Sequence, residues 1–175
     1  MAKITFSCAA VMEMAGRSFR RQEDNMDVST RIEELFEKEA YLIDILPKTV
    51  SRDAGGRYFS VEEYFRSHRS ELDRRLTRII LRLYCYYDMT AVTEDGTAEQ
   101  PQAEQLAAQL EKVFREGRGF VNIYLPECDA LITFYGGDLY MTVYNIGGEA
   151  RELLSQLVSA EGGFFREAPV NNAKE

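Results

Sequence analysis

The side chains able to move a proton, attack an electrophile or grip an ion set the first limits. His68 is the single histidine of the chain, so a Ser-His-Asp triad, a Cys-His pair or a multi-histidine metal site would have to be built on it alone. It falls between Phe65 and Leu72 on an apolar stripe of helical spacing, the setting of a partly buried histidine at the rim of a core. Cys8, Cys85 and Cys128 are odd in number, widely spaced and without a CxxC pair. They read as reduced thiols rather than a disulfide framework or a zinc site. Acidic pairs such as Glu33-Glu34, Glu62-Glu63 and Glu127 with Asp129 have the residue types for acid–base work or for Mg²⁺. Most stand at expected helix starts, where a carboxylate complements the helix dipole. No catalytic residue, no metal site and no cofactor are expected from this inventory.

Phosphate chemistry fares no better. The pairs Gly55-Gly56, Gly136-Gly137, Gly147-Gly148 and Gly162-Gly163 match neither GxxxxGK[ST] nor GxGxxG, and turns or helix ends account for them. Gly147-Gly148 comes nearest, because it leads from an expected strand into a helix whose free amides suit an anion. Arginine is the preferred cation of this chain, and Arg66, Arg69, Arg74, Arg75, Arg78 and Arg82 crowd one stretch. Arginine grips carboxylate and phosphate in bidentate fashion, yet Glu62, Glu63, Glu71 and Asp73 share the region and fit an internally paired, solvated face.

The chain of 175 residues has the size of one domain and the composition of a globular one, with 45% hydrophobic and 29% charged residues. A net charge of −8 opposes general affinity for nucleic acid or anionic lipid, which needs clustered positive charge. The apolar run of residues 4–12 is far shorter than the roughly 20 residues of a membrane span. A cytoplasmic protein is expected, with residues 1–28 as a poorly ordered extension, residues 29–168 as one domain and residues 169–175 as a mobile tail. A competing reading makes Ile4, Phe6 and Cys8 one face of a first strand.

Thr30 and Glu33 have the spacing of a capping box, and Ile32, Leu35, Phe36, Leu42, Ile43 and Leu46 recur helically until Pro47. A second box, Ser60 with Glu63, opens a helix carrying Tyr64, Phe65, His68, Leu72 and Leu76. Its end is ambiguous, because residues 79–89 also alternate; the aromatic and β-branched content favours a strand over residues 80–92. Pro101 begins a helix with Ala103, Leu106, Ala107, Leu110, Val113 and Phe114 on one face, ended by Gly117. Strands follow over residues 119–125, 130–135 and 138–145, the last two joined at Gly136-Gly137. A final helix displays Ala150, Leu153, Leu154, Leu157 and Val158 and stops at Gly162-Gly163, before a short Phe164-Phe165 stretch. The expected architecture is α+β, an antiparallel sheet of about four strands with amphipathic helices, in the order ααβαβββα.

Strict alternation sends Leu83, Cys85, Tyr87, Val121, Ile123, Leu125, Leu139, Met141 and Val143 to one face. Arg82, Tyr84, Tyr86, Tyr124, Tyr140 and Tyr144 then share the other, a face rich in the residue types of binding hot spots. The leading functional expectation is a non-catalytic interaction or homodimerising domain using that Tyr/Arg face, with a protein partner or a second copy. The alternative is a small-ligand-binding or enzymatic domain whose anion-accepting pocket lies between the sheet and the N-terminal helices, lined by Arg57, Tyr58, His68, Arg82 and tyrosines. Single-stranded RNA binding is disfavoured by the acidic charge and the missing RNP pattern.

Overall fold

The computed structural model describes residues 28–51 and 54–169. Five helices, α1 (Val28–Leu35), α2 (Arg57–Ser67), α3 (Ser70–Leu83), α4 (Ala103–Glu116) and α5 (Gly148–Ala160), are interspersed with seven strands. These are β1 (Ala40–Asp44), β2 (Thr90–Thr93), β3 (Gly96–Glu99), β4 (Phe120–Leu125), β5 (Ala130–Tyr135), β6 (Met141–Tyr144) and β7 (Phe164–Glu167). They form one antiparallel sheet in the order β3-β2-β4-β5-β6-β1-β7. The α+β class therefore holds, while about four strands become seven and the order ααβαβββα becomes αβααββαβββαβ. The expected strand at Ile4, Phe6 and Cys8 and almost all of the expected extension and tail lie outside the described residues; Val28 opens α1.

The register separates two faces. Ala91, Ile123, Ile132, Val143 and Tyr41 pair in succession as one apolar row, and Met141, Ile43 and Phe165 make a second row on the same face. This face meets α3, α4 and α5 in the main core, where Leu76, Ile79, Ile80, Leu83, Leu106, Leu110 and Leu154 are almost fully buried. The parallel row on the opposite face runs Val92, Asn122, Thr133, Thr142, Leu42 and Arg166. There α1 sets Ile32 and Leu35 on Leu131, with Val92, Tyr124 and Tyr144 around them.

Two corrections have the same cause. The helix expected over residues 30–46 ends at Leu35, and β1 follows as the sheet's second strand from one edge. Leu42, Ile43 and Leu46 satisfy a helical count, yet Tyr41 and Ile43 alternating onto the core face is the arrangement the sheet uses. Conversely, the strand expected over residues 80–92 is helix through Leu83, and only Thr90–Thr93 is strand. Ile79 and Ile80 are adjacent and both buried; with Leu72, Leu76 and Leu83 they make one stripe at spacings of 4, 3, 1 and 3, which no single strand face can hold. The polar stretch closing that region is itself the hairpin to β3.

The capping residues also shift. Thr30 and Ser60 lie inside α1 and α2, which begin at Val28 and Arg57. The helix at α4 begins at Ala103 rather than at Pro101 and otherwise follows its reading: its Gln105 side chain accepts the Gln102 amide at 3.1 Å, and Gly117 closes it at φ 64°. Gly136 admits no larger residue in the β5–β6 turn, since a Cβ there would stand 2.4 Å from the Arg118 nitrogen.

Candidate functional site

The second sheet face is left uneven by this topology. Short α1 covers the Leu131 end, while at the β1–β7 end the chain leaves β1 through a loop and returns as α2. Between that loop, α2 and the sheet lies a cavity of about 620 Å³. Leu42 and Asp44 of β1, Arg166 of β7, and Leu139 and Tyr140 before β6 form its floor; Tyr58, Phe59, Val61 and Glu62 of α2 form a wall. Gly55 and Gly56, at φ 63° and 79°, turn the chain into α2, and the Arg57 Nε donates to the Ala54 carbonyl at 2.9 Å. The far end of α2 is fastened by arginines: Arg66 donates to the Gly137 carbonyl at 2.8 Å, and Arg69 to Gly136 and Asp138 carbonyls at 2.9 and 3.2 Å.

Helix α2 is anomalous in having no buried residue. Phe59 is 71% exposed and Tyr64 60%, with Tyr58 and Val61 also exposed. An amphipathic helix gains its stability by covering its apolar side, so α2 has apolar surface with no complete counterpart among the described residues.

Charges on the cavity wall are mostly compensated. Arg166 Nη2 bonds Asp44 Oδ2 and Nη1 reaches Thr49 Oγ1 at 3.3 Å; the Asp44 Oδ1 also accepts the Leu46 amide at 3.1 Å. Glu62 takes Arg66 at 2.9 Å. Lys48 makes no ion pair among the described residues, and Arg166 Nε is buried without an acceptor there. Burial pushes the Tyr58 and Tyr140 phenols up, with nearby carboxylates adding to it, so both remain neutral donors at neutral pH.

The sequence-expected site residues fall in separate places. Tyr58 and Tyr140 line the cavity, and Arg57 stands beside it at the start of α2. His68 is exposed rather than at the rim of the core, stacked on Tyr64 with ring centroids 4.3 Å apart, and lines a neighbouring space of about 200 Å³ with Glu71 and Arg75. Arg82 lies on α3 and pairs with Glu161 at 2.7 Å. Tyr84 and Tyr86 are in the turn after α3, so Arg82, Tyr84 and Tyr86 are not on the sheet. Cys85, in the same turn, is exposed, not a core residue of a strand. Tyr124 and Tyr144 do share the second face, half-covered by α1, with Phe36 edge-on to Tyr144 at 5.3 Å.

A second polar cluster surrounds Asp129. Arg31 donates through Nε to Asp129 Oδ1 at 2.8 Å, the Tyr124 hydroxyl donates to the same oxygen at 3.1 Å, and Asn145 Nδ2 donates to the Asp129 carbonyl at 2.7 Å. The Arg31 guanidinium holds the Asp129 carboxyl below its usual range. Asp129 and Asn145 sit at φ 51° and 57°, and this satisfied network ties α1 to the turns it covers. It is a fastening with its acceptors in use.

Sequence reading missed Leu42, Asp44, Lys48, Val61 and Arg166. The signal was present in residues 40–44 and 164–167, both short alternating runs, but each borders a stronger helical pattern. Among the described residues no group of His, Cys, Asp and Glu is placed to hold a metal ion, and no helix is long and apolar enough to cross a membrane. Comparison with protein-family models, with curated proteins and with solved structures returned no match.

Proposed function

We propose that this chain is a binding domain that holds a small, largely apolar ligand in the α2 cavity. The carrying observation is the cavity itself: about 620 Å³, within the roughly 300–1,000 Å³ of small-molecule sites, walled by a helix that buries none of its own residues. Binding rather than conversion is favoured because His68, Cys85 and Cys128 lie away from the cavity and the two carboxylates on its wall, Asp44 and Glu62, are held by Arg166 and Arg66.

The test combines native mass spectrometry of gently purified protein with titration by the uncharged dye N-phenylnaphthylamine, which brightens in apolar surroundings. A retained mass or saturable brightening is expected, and Val61→Arg, on an exposed helix face, should diminish either. Bare protein with no saturable dye binding would overturn the reading.

A second reading is favoured by one observation, the exposed aromatic side of α2 at Phe59 and Tyr64. It makes that helix a docking surface for a protein partner, as tyrosine and other aromatics dominate binding hot spots. Phe59→Ser with Tyr64→Ser should then abolish association measured by light scattering with a defined partner or a second copy. Unchanged association would remove it.

A further inference from the structure

We infer that the occupant of the α2 cavity is an anionic amphiphile, with an oxyanion head set against Lys48 and Arg166 and an apolar body between α2 and the sheet. The inference rests on the cavity being a ligand site and goes on to name the ligand's chemistry. Charge arithmetic carries it. Among the described residues four charged ones line the cavity, Asp44, Lys48, Glu62 and Arg166. Asp44 and Arg166 neutralise each other, and Glu62 is taken by Arg66, leaving the Lys48 ammonium as the charge on the wall without an ion-pair partner among the described residues.

The unused hydrogen-bonding capacity has the same sign. The Arg166 Nε–H is closed off from the cavity, but its Nη1 makes only a 3.3 Å bond to Thr49 Oγ1, which a ligand oxygen could share or replace. The Tyr58 and Tyr140 hydroxyls add two donors free of protein partners among the described residues. On the acceptor side, the Asp44 and Glu62 carboxylates are already held by Arg166 and Arg66. A cationic head would thus meet Lys48 and compete with Arg166 and Arg66 for the carboxylates, whereas an oxyanion meets a cation and several donors. The body follows from Leu42, Ile45, Leu46, Val50, Phe59 and Leu139, which make the rest of the lining aliphatic and aromatic.

The test is a fluorescence titration of the full chain with anilinonaphthalene sulfonate and with N-phenylnaphthylamine, which has the same ring systems without the sulfonate. The sulfonated dye should bind more tightly, and the gap should narrow as salt is raised. Lys48→Ala, in an exposed loop, should weaken the sulfonated dye by about two- to fivefold and leave the neutral one unchanged. Arg166→Lys keeps the charge, removes the Nη1 donor of the planar fork and should weaken the sulfonated dye selectively; melting curves of both variants establish that they fold. Equal affinity for the two dyes, tighter binding of the neutral one, or a Lys48→Ala loss shared by both would overturn the head-group inference while leaving the cavity a ligand site. Saturable binding of neither dye would overturn the proposed function and this inference together.

Discussion

At the residue scale, Glu161 shows how the arginine-rich stretch is used. It ends α5, where a carboxylate opposes the helix dipole, and its side chain is only 6% exposed. Two guanidiniums on α3 reverse that penalty: Arg78 reaches it at 2.6 Å and Arg82 at 2.7 Å. The Arg78 hydrogen bond, more than burial, fixes the outcome and holds the Glu161 carboxyl below the ordinary glutamate value. Since folding lowers this pKa, the unfolded chain binds the proton more readily; the stabilisation is complete above the ordinary value and disappears as pH falls through the folded one. Glu161→Gln should therefore lower the unfolding free energy from urea titration at neutral pH by about 1 kcal/mol, less than for a fully buried pair because both arginines are half-exposed and can return to water. Urea titrations of wild type and variant should converge from about pH 5 downward. A gap independent of pH would mean that packing, not charge, is what the glutamate supplies.

At the scale of elements, α2 and α3 adjoin in sequence and differ in what they cover. Leu72, Leu76, Thr77, Ile79, Ile80 and Leu83 of α3 are buried, whereas α2 fully buries none, its C-terminal end resting on the core through half-buried Phe65 and tied by Arg66 to the Gly137 carbonyl. Opening free energy follows buried apolar contact, so amides of α2 should exchange with deuterium far faster than those of α3 when followed by mass spectrometry, and slow when the cavity is occupied. Equal protection in both helices would show that α2 is integral to the core. The same contrast explains what was legible. Residues 103–116 and the strand pair at 120–125 and 130–135 could be read because one period applies throughout and glycine or a turn marks each end. The α3 stripe was misread because residues 79–89 satisfy both periods locally, and only the helices it meets, α4 and α5, decide between them. Within the candidate site, Tyr58 and Tyr140 were reachable from composition. Leu42 and Arg166 face each other across β1 and β7, a pairing between residues 124 apart that no local pattern encodes.

At the scale of the molecule, the two sheet faces carry unequal shares of the core. Three helices close one face around a continuous cluster, while α1, of eight residues, places Ile32 and Leu35 against Leu131 on the other. Leu83 and Leu35 are both fully buried, so transfer from water alone would rank their truncation equally. The difference lies in what can yield. Around Leu83, helices α4 and α5 and the sheet hold a cavity open, and Leu83→Ala should cost about 3–5 kcal/mol. Around Leu35 the short helix can shift or lift from the sheet, so Leu35→Ala should cost about 2–3 kcal/mol and raise deuterium uptake in α1 and β6 while α3 stays protected. Urea midpoints with hydrogen exchange on both variants check this. If Leu35→Ala matched Leu83→Ala in cost and loosened α3 as well, the second face would be as rigid as the first. The cavity beside α2 would then have to be understood as a fixed cleft in a uniformly rigid body. If the costs separate as expected, the α1 and α2 side of the sheet is the adaptable side of the molecule, and an incoming ligand is met by elements able to close on it.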